Sequence, residues 1–513
     1  MAAPQISVPP GVSEADFADA LRQWTDIVGA PWVFTTSEDV ALYRDGYSPA
    51  WDEETERVAS AAIAPDTVEQ VQAIMRIANQ KRIPIYPIST GRNLGYGGSA
   101  PVLSGSVVLD LKRMNRVLEV DERNASCLVE PGVSYFDLYN YIEERQLKVW
   151  IDAPDPGWGS VMGNALDGGG GWTAYPFRDH FGAHCGMEVV LADGTLVRTG
   201  MGAMPNSKAW QQNKWGYGPW VDGLFRQSNM GVVTKMGFWL MPRPEAYISG
   251  TATVTRRQDL APLLDTLNLL ENQHVVNGST AIGPAGFGGG DLEQWTCTVP
   301  IYGPAAVIRA QLDYAKAKFA EISGSAWTET ELLTIPLTPE QLAGVRNVSF
   351  AVPNLSTFSI GARSAQNPNP TSGHIWFSPI VERTGEAMLE FYEFYRENLA
   401  DVSGGEDLGF LGPIGLTNWE RSLILMIMFP VTRDKAMNAK NVAAFRRWVE
   451  LAAERGWGEY RTAPAFMDDV AATYSFNNGS LRRLHETLKD AVDPNGVISA
   501  GRYGIWPKHI REA

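Results

Sequence analysis

Apolar positions along this chain recur at two spacings, and the change from one to the other locates its most informative stretch. Val68, Val71, Ile74, Met75 and Ala78 follow the i, i+3, i+4 rhythm of an amphipathic helix, with Asp66 and Glu69 reading as a capping box at its start. The continuous apolar run Ile83–Ile88 then reads as a strand, and Ser106–Leu111 (SVVLDL) as another. Between them lies the glycine-dense Ser89–Gly98 (STGRNLGYGG), placed just past the carboxyl end of a strand, where α/β layers bind their ligands. A doubly wound dinucleotide fold would launch a helix here, but Pro101 and Gly105 break the chain instead. The spacing also lacks the Gly-Lys-Ser/Thr ending of a phosphate loop. A pyrophosphate held by loop amides is therefore expected in place of a helix-dipole site.

The rest of the pattern suggests two units. Val8–Ala30 reads as a polar lead-in and a helix, Arg116–Val120 and Ser126–Glu130 as strands, and Tyr135–Glu144 as a helix. A second glycine-dense stretch, Asp155–Asn164 followed by Gly168–Gly171, could grip the opposite side of a large flat ligand. Met187–Ala192, the Asp193-Gly194 turn and Thr195–Arg198 read as a hairpin, and a further strand begins at Gly231. Beyond Pro242–Pro244 the glycine-rich loops give way to alternating strands and helices. Expected there are strand Ile248–Val254, helices Leu260–Asn272, Ala305–Ile322 and Glu386–Leu399, and a buried strand at Leu423–Val431. This is the composition of a separate α+β unit, with Arg363–Gly373 as a loop. Glu459–Pro507 reads as turn-rich.

At 513 residues the chain calls for two or three domains. A net charge of −15 with no basic block argues against nucleic acid and anionic membrane as partners. Cys127, Cys185 and Cys297 form no CxxC pair, and no Glu follows His180 in the His180/His184 spacing, so neither a disulfide framework nor a metal site is expected. No leader peptide or membrane-spanning run is visible, and a cytoplasmic location is expected. The 17 Trp, 17 Tyr and 19 Phe suit an apolar pocket.

Several stretches together resemble one known family. GRNLGYGG (Gly91–Gly98), PDPGWGSVMGN (Pro154–Asn164), QSNMGVVTKMG (Gln227–Gly237), GHIWFSPI (Gly373–Ile380), EYRT (Glu459–Thr462), FMDD (Phe466–Asp469) and DPNGVISAG (Asp493–Gly501) are similar to motifs of the vanillyl-alcohol oxidase family. That family includes eugenol oxidase and the flavoprotein subunit of 4-cresol methylhydroxylase. The resemblance implies an α+β protein with a non-Rossmann FAD-binding domain from residues 1–242 and 455–513, and an α+β cap over 243–454. It implies FAD bonded covalently through its 8α carbon to His374. Thr90, Gly91, Arg92, Asn93, Leu94, Gly95, Ser160, Gly163, Asn164, Gly231, Val232, Val233 and Arg502 are the further cofactor-binding positions it implies.

It further implies that Tyr96, Tyr460 and Arg461 hold a substrate phenolate, with Asp155 near the flavin N5 as general base and Trp376 and Ser378 in the pocket. The residue types suit that chemistry. A phenol of pKa ~10 costs roughly 4 kcal/mol to ionise at pH 7, and charge-assisted hydrogen bonds return about 1.5–3 kcal/mol each. An ionised ring favours hydride loss from the para substituent's α carbon, leaving a quinone methide that takes up water or loses a proton. The implied reaction ends with dioxygen reduced to hydrogen peroxide, in a homodimer. A methylhydroxylase or dehydrogenase passing electrons to a cytochrome c is the first alternative and a non-catalytic flavin-binding protein the second, but the cytochrome-coupled relatives tend to bond FAD through tyrosine and to be exported. Three departures bear on substrate choice or on the flavin side: Arg178 replaces a glycine before Asp179-His180, Trp376 stands where eugenol oxidase has glycine, and Arg502 replaces a common lysine.

Overall fold

Two neighbouring parallel strands explain why the first glycine loop is so long. In a computed structural model, which describes residues 5–284, 292–356, 372–403, 414–416 and 421–513, Val33–Phe34, Ala61–Ile63, Val107–Asp110 and Ile85–Ile88 form a four-stranded sheet in that order. Ala61–Ile63 and Ile85–Ile88 both run parallel to Val107–Asp110. A parallel partner obliges the chain to travel back the length of the strand, usually through a helix. Helix Val68–Lys81 does this after the strand Ala61–Ile63. After Ile85–Ile88 the glycine loop makes the return itself, which leaves its backbone at the carboxyl edge of the sheet.

Helix Val68–Lys81 buries Val71, Ile74, Met75 and Ala78, the stripe that the periodicity predicts. Its cap differs from expectation. Thr67 is the N-cap, accepting from Gln70 N at 3.3 Å, while the Gln70 side chain accepts from Asp66 N at 2.7 Å. The Asp66–Glu69 spacing is thus one residue early, because the threonine hydroxyl is the group placed to meet a free amide of the first turn. Helix Glu14–Val28 packs on this helix through Trp24, whose indole donates to Ile74 O. Late residues complete the layer: Ile85 N donates to Val497 O, and Ser499 N to Ile85 O.

A five-stranded antiparallel sheet follows, ordered Val117–Asp121, Ser126–Val129, Val232–Trp239, His184–Val190, Leu196–Arg198. The second glycine-dense stretch contains a short helix, Val161–Leu166, that its glycines hid from the sequence. Strands from Ala246–Val254 to Ser422–Thr432 build a nine-stranded sheet whose core runs from Ala246 to Phe466. Three of its helices, Leu260–Asn272, Ala305–Phe319 and Gly385–Asn398, match the expected ones; a fourth, Lys435–Glu454, was not expected and buries Phe445, Trp448 and Val449. Leu423–Val431 lies within the strand Ser422–Thr432, mostly buried. The expected loop at Arg363–Gly373 falls, up to Thr371, outside the described residues.

The turn-rich reading of Glu459–Pro507 is corrected: helices Met467–Thr473 and Phe476–Val492 lie inside it. The second carries Leu481, Leu484 and Leu488 at helical spacing but buries little of that face, with Leu481 47% and Leu484 54% exposed and Lys489 its buried residue. Asn477, Asn478 and Gly479, all left-handed, also interrupt its start. Cys127, Cys185 and Cys297 are unpaired and buried. Among the described residues, no helix is long and apolar enough to cross a membrane.

Candidate active site

The two glycine-dense stretches face each other across a cleft that encloses about 1060 Å³ of empty space, part of it open to solvent. Thr90, Gly91, Arg92 and Asn93 line one side, Ser160, Gly163 and Asn164 another, and Gly231, Val232, Val233 and Arg502 the rest. The stretches meet closely at Gly163, where a Cβ would lie 2.2 Å from Ser89 Oγ; within the first loop a Cβ on Gly91, where φ is +67°, would lie 2.0 Å from Ser99 Oγ. Asn164 is backed by His180, whose Nδ1 lies 2.6 Å from the Asn164 amide oxygen and 3.0 Å from the Tyr135 hydroxyl.

Gly95 has a different duty within the loop. A Cβ there would sit 2.8 Å from Trp376 and 3.1 Å from His374, so the loop presses directly on the cap strand Ser372–Phe377, with half-buried Leu94 beside it. His374 is buried, its ring 5.0 Å from that of Tyr47 and 4.7 Å from that of Trp376. Trp376 therefore packs edge-on against His374 and beneath Gly95. Behind Tyr47, Asp45 accepts from the Tyr47 N–H, and burial pushes its carboxyl up to about 6.

Tyr96, Tyr460 and Arg461 converge although 364 positions separate Tyr96 from Tyr460. The Arg461 guanidinium lies 3.9 Å from the Tyr96 ring centroid and 5.1 Å from that of Tyr460, a cation between two aromatic faces. Both phenols are buried, Tyr96 at 3% and Tyr460 at 8% exposure. Burial pushes both hydroxyls upward and Arg461 pulls them back, so near neutrality each is a neutral O–H donor. Burial disfavours the Arg461 charge, but Tyr460, Tyr96 and Asp167 outweigh it and keep the guanidinium ionised. Ser378 Oγ lies 3.3 Å from the Tyr96 hydroxyl.

Two carboxyls that the sequence did not single out complete the chamber. Asp167, at the end of helix Val161–Leu166, accepts from Arg502 Nη2 at 2.7 Å, from Asn93 Nδ2 at 2.7 Å and from the Tyr503 hydroxyl, and it lies 3.6 Å from Arg461 Nη1. Arg502 also donates to the Tyr86 hydroxyl. Gln227 ties the same junction, donating to Tyr460 O at 2.7 Å and Asp167 O at 3.4 Å. Glu459 faces the other way. Both of its oxygens lie within 3.0 Å of Ser378 N, and burial pushes its carboxyl well above the ordinary range. Neither residue stands out in a sequence. Asp167 is one acid among glycines, and Glu459 differs from a surface acid only by neighbouring Tyr460-Arg461.

Asp155 is placed on a neighbouring segment, accepting from the Ser356 hydroxyl, with Arg346 as a nearby cation. Contact thus gathers Tyr96, Tyr460, Arg461 and Ser378, while Asp155 belongs to the segment that meets Ser356. Arg178 ties the segment after the second glycine-dense stretch to helix Leu260–Asn272: it is 1% exposed, donates to Gly278 O and lies 3.6 Å from Glu271, which also pairs with Arg383.

The comparisons agree with this geometry. Residues 59–200 match the model of an FAD binding domain. The chain is 31% identical to the 4-cresol dehydrogenase [hydroxylating] flavoprotein subunit of Pseudomonas putida, over 97% of both chains. It superposes on 4-ethylphenol oxidase from Gulosibacter chungangensis, solved with isoeugenol, with a TM-score of 0.85 and 33% identity over 98% of this chain and 100% of that one. For substrate-bound p-cresol methylhydroxylase the TM-score is 0.82, with 29% identity over 97% and 99% of the two chains. The cleft fits FAD: two side-chain-free approaches of backbone, at Gly91 and Gly163, and the cation Arg502 suit a long group carrying phosphates. With its fold, cleft and relatives in agreement, the chain belongs to the vanillyl-alcohol oxidase/p-cresol methylhydroxylase family and is a flavin-dependent oxidoreductase of its branch that oxidises 4-cresol and 4-ethylphenol.

Proposed function

We propose that this protein is an oxidase of para-substituted phenols (4-alkylphenols, 4-allylphenols and 4-hydroxybenzyl alcohols) that holds FAD covalently through His374 and uses dioxygen. The observation that carries the reading is the charged Arg461, its side chain 12% exposed, set against the buried phenols of Tyr96 and Tyr460. Arg461 and Arg502 share Asp167 as their carboxylate partner, and burial raises the Glu459 carboxyl well above the ordinary range. Arg461, 3.6 Å from Asp167 and set against two neutral phenol O–H groups, suits an anion such as a phenolate. Two tyrosine hydroxyls and a guanidinium at about 1.5–3 kcal/mol each offset the roughly 4 kcal/mol needed to ionise the ring at neutral pH.

Bound FAD would supply the two-electron acceptor. This chain's residues orient the ring and stabilise its negative charge, so that electron density reaches the para carbon and hydride departs from its benzylic neighbour. Asp155 is the candidate to take the proton from water adding to the resulting quinone methide. His374, fixed against Gly95, Tyr47 and Trp376, is the covalent anchor in this reading. Trp376 on that strand would restrict the para substituent. The first relative's description as a flavoprotein subunit favours a second reading, in which a cytochrome c partner takes the electrons.

Anaerobic mixing with 4-ethylphenol tests the reaction: the yellow flavin absorbance should bleach, and air alone should restore it with release of peroxide. Bleaching whose reversal needs an added electron acceptor would favour the cytochrome-coupled reading. No bleaching by 4-ethylphenol, eugenol, vanillyl alcohol or syringyl analogues would overturn phenol oxidation. Acid-precipitated protein should stay yellow, and His374→Ala should release its colour.

A further inference from the structure

A hydroxyl has one proton, so a tyrosine that donates to a substrate oxygen must receive its other hydrogen bond from a donor. For Tyr96 two donors are at hand: the Arg461 guanidinium, which hydrogen-bonds its hydroxyl, and the hydroxyl of Ser378, 3.3 Å away and fully buried. What fixes Ser378 is therefore part of the phenolate site. The serine is held on both sides of its backbone. Its C=O accepts from Tyr460 N at 3.1 Å, and its N–H donates to the Glu459 carboxyl, whose oxygens lie 2.9 and 3.0 Å away. Ile380 N donating to Gly458 O continues this seam between the cap strand and the EYRT stretch.

We infer that Glu459 is a positioning residue for phenol oxidation: by gripping Ser378 N–H, it sets the Ser378 hydroxyl as donor to Tyr96 and leaves the Tyr96 O–H directed at the substrate oxygen. This rests on the phenol-oxidase reading above. Glu459 makes no salt bridge among the described residues. The titratable groups around it are Tyr96, Tyr460, Arg461 and Tyr474, with Arg482 and His485 of helix Phe476–Val492 across the cavity it borders. Burial favours its neutral form. An ionised Glu459 would cancel the positive charge that Arg461 offers and repel a phenolate. The arrangement thus needs a carboxyl-shaped acceptor but no charge.

The FAD-loaded Glu459→Gln, Glu459→Ala and Ser378→Ala proteins test this. Flavin bleaching at saturating 4-ethylphenol would be followed across pH, and 4-nitrophenol would report by its absorbance how much of the bound ring is ionised. Glutamine keeps the acceptor without charge, so its bleaching rate should stay within about threefold of the parent. Glu459→Ala and Ser378→Ala should each lose about tenfold to a hundredfold in bleaching rate, and their bound 4-nitrophenol should shift toward the neutral form at a given pH. Glu459→Gln as impaired as Glu459→Ala would overturn the inference, since charge would then be the requirement. So would Ala variants that match the parent. A parent that neither bleaches nor binds 4-nitrophenolate would refute the phenol-oxidase reading itself, a result distinct from either.

Discussion

The cofactor cleft and the phenol chamber adjoin at Asp167, yet they are built of opposite materials. The cleft is mostly backbone, with glycines at the closest approaches and the half-buried Arg502 as a cation on its wall. The chamber is side chain: two phenols, a guanidinium and a serine, none of whose backbones need be special. A backbone site tolerates change in charge but not in bulk, whereas a side-chain site tolerates the reverse. The two buried carboxyls follow the same division. Asp167 lies against two arginines, Arg461 and Arg502, while Glu459 meets a backbone amide and burial raises its carboxyl well above the ordinary range.

Substitutions can sharpen or break that contrast. The largest effect is expected at Lys489, fully buried behind the cleft, where it donates to Asp493, Asn229 O and Ile498 O. Lys489→Met would strand the Asp493 charge and cost roughly 3–5 kcal/mol of stability, read as a lower denaturation midpoint. Arg461→Ala should lower the bleaching rate about a thousandfold, the equivalent of about 4 kcal/mol, while FAD stays bound. Loss of FAD along with activity would show that the two sites are not separable. Gly163→Val should do the opposite and yield colourless, folded protein, because its side chain would fill the space against Ser89.

Asp167→Asn sits on the boundary. It should slow bleaching by about tenfold to a hundredfold and weaken FAD retention, since both arginines lose their shared carboxylate. A defect confined to one property would mean the junction serves one site. The smallest effect concerns stability and pH. The unfolded chain ionises Glu459 near 4.5, whereas the folded chain holds the proton to much higher pH. Folding stability from this group is therefore fully present below 4.5 and is lost as pH rises toward the folded value. Glu459→Gln removes that loss, so its melting temperature should exceed the parent's by a margin that grows with pH above 4.5. A constant margin across pH would place a charge on the folded Glu459.

The same division explains what was legible in the sequence. Gly91 and Gly163 announce the cleft because a close backbone approach demands glycine, and the demand is written locally. The strands and helices of the first domain follow from periodicity, as with Val71, Ile74 and Met75. Tyr96 and Arg461 could be paired only through resemblance to a family, since no local pattern joins residues so far apart. Asp167 and Glu459 carried no signal even then: what makes them special is burial, and burial is decided by the whole fold. Helix Phe476–Val492 was missed although Leu481, Leu484, Leu488 and Val492 recur at helical spacing, because Asn477-Asn478-Gly479 at its start reads as a turn.

Ile85 on the first sheet is bridged by Val497 and Ser499, and Arg502 lies three residues further on. The cleft's rear wall thus joins an early strand to a segment far along the chain, and closing so long a loop carries an entropic cost that only the assembled sheet repays. A break anywhere between the two would unfasten the wall from the glycine loop it backs.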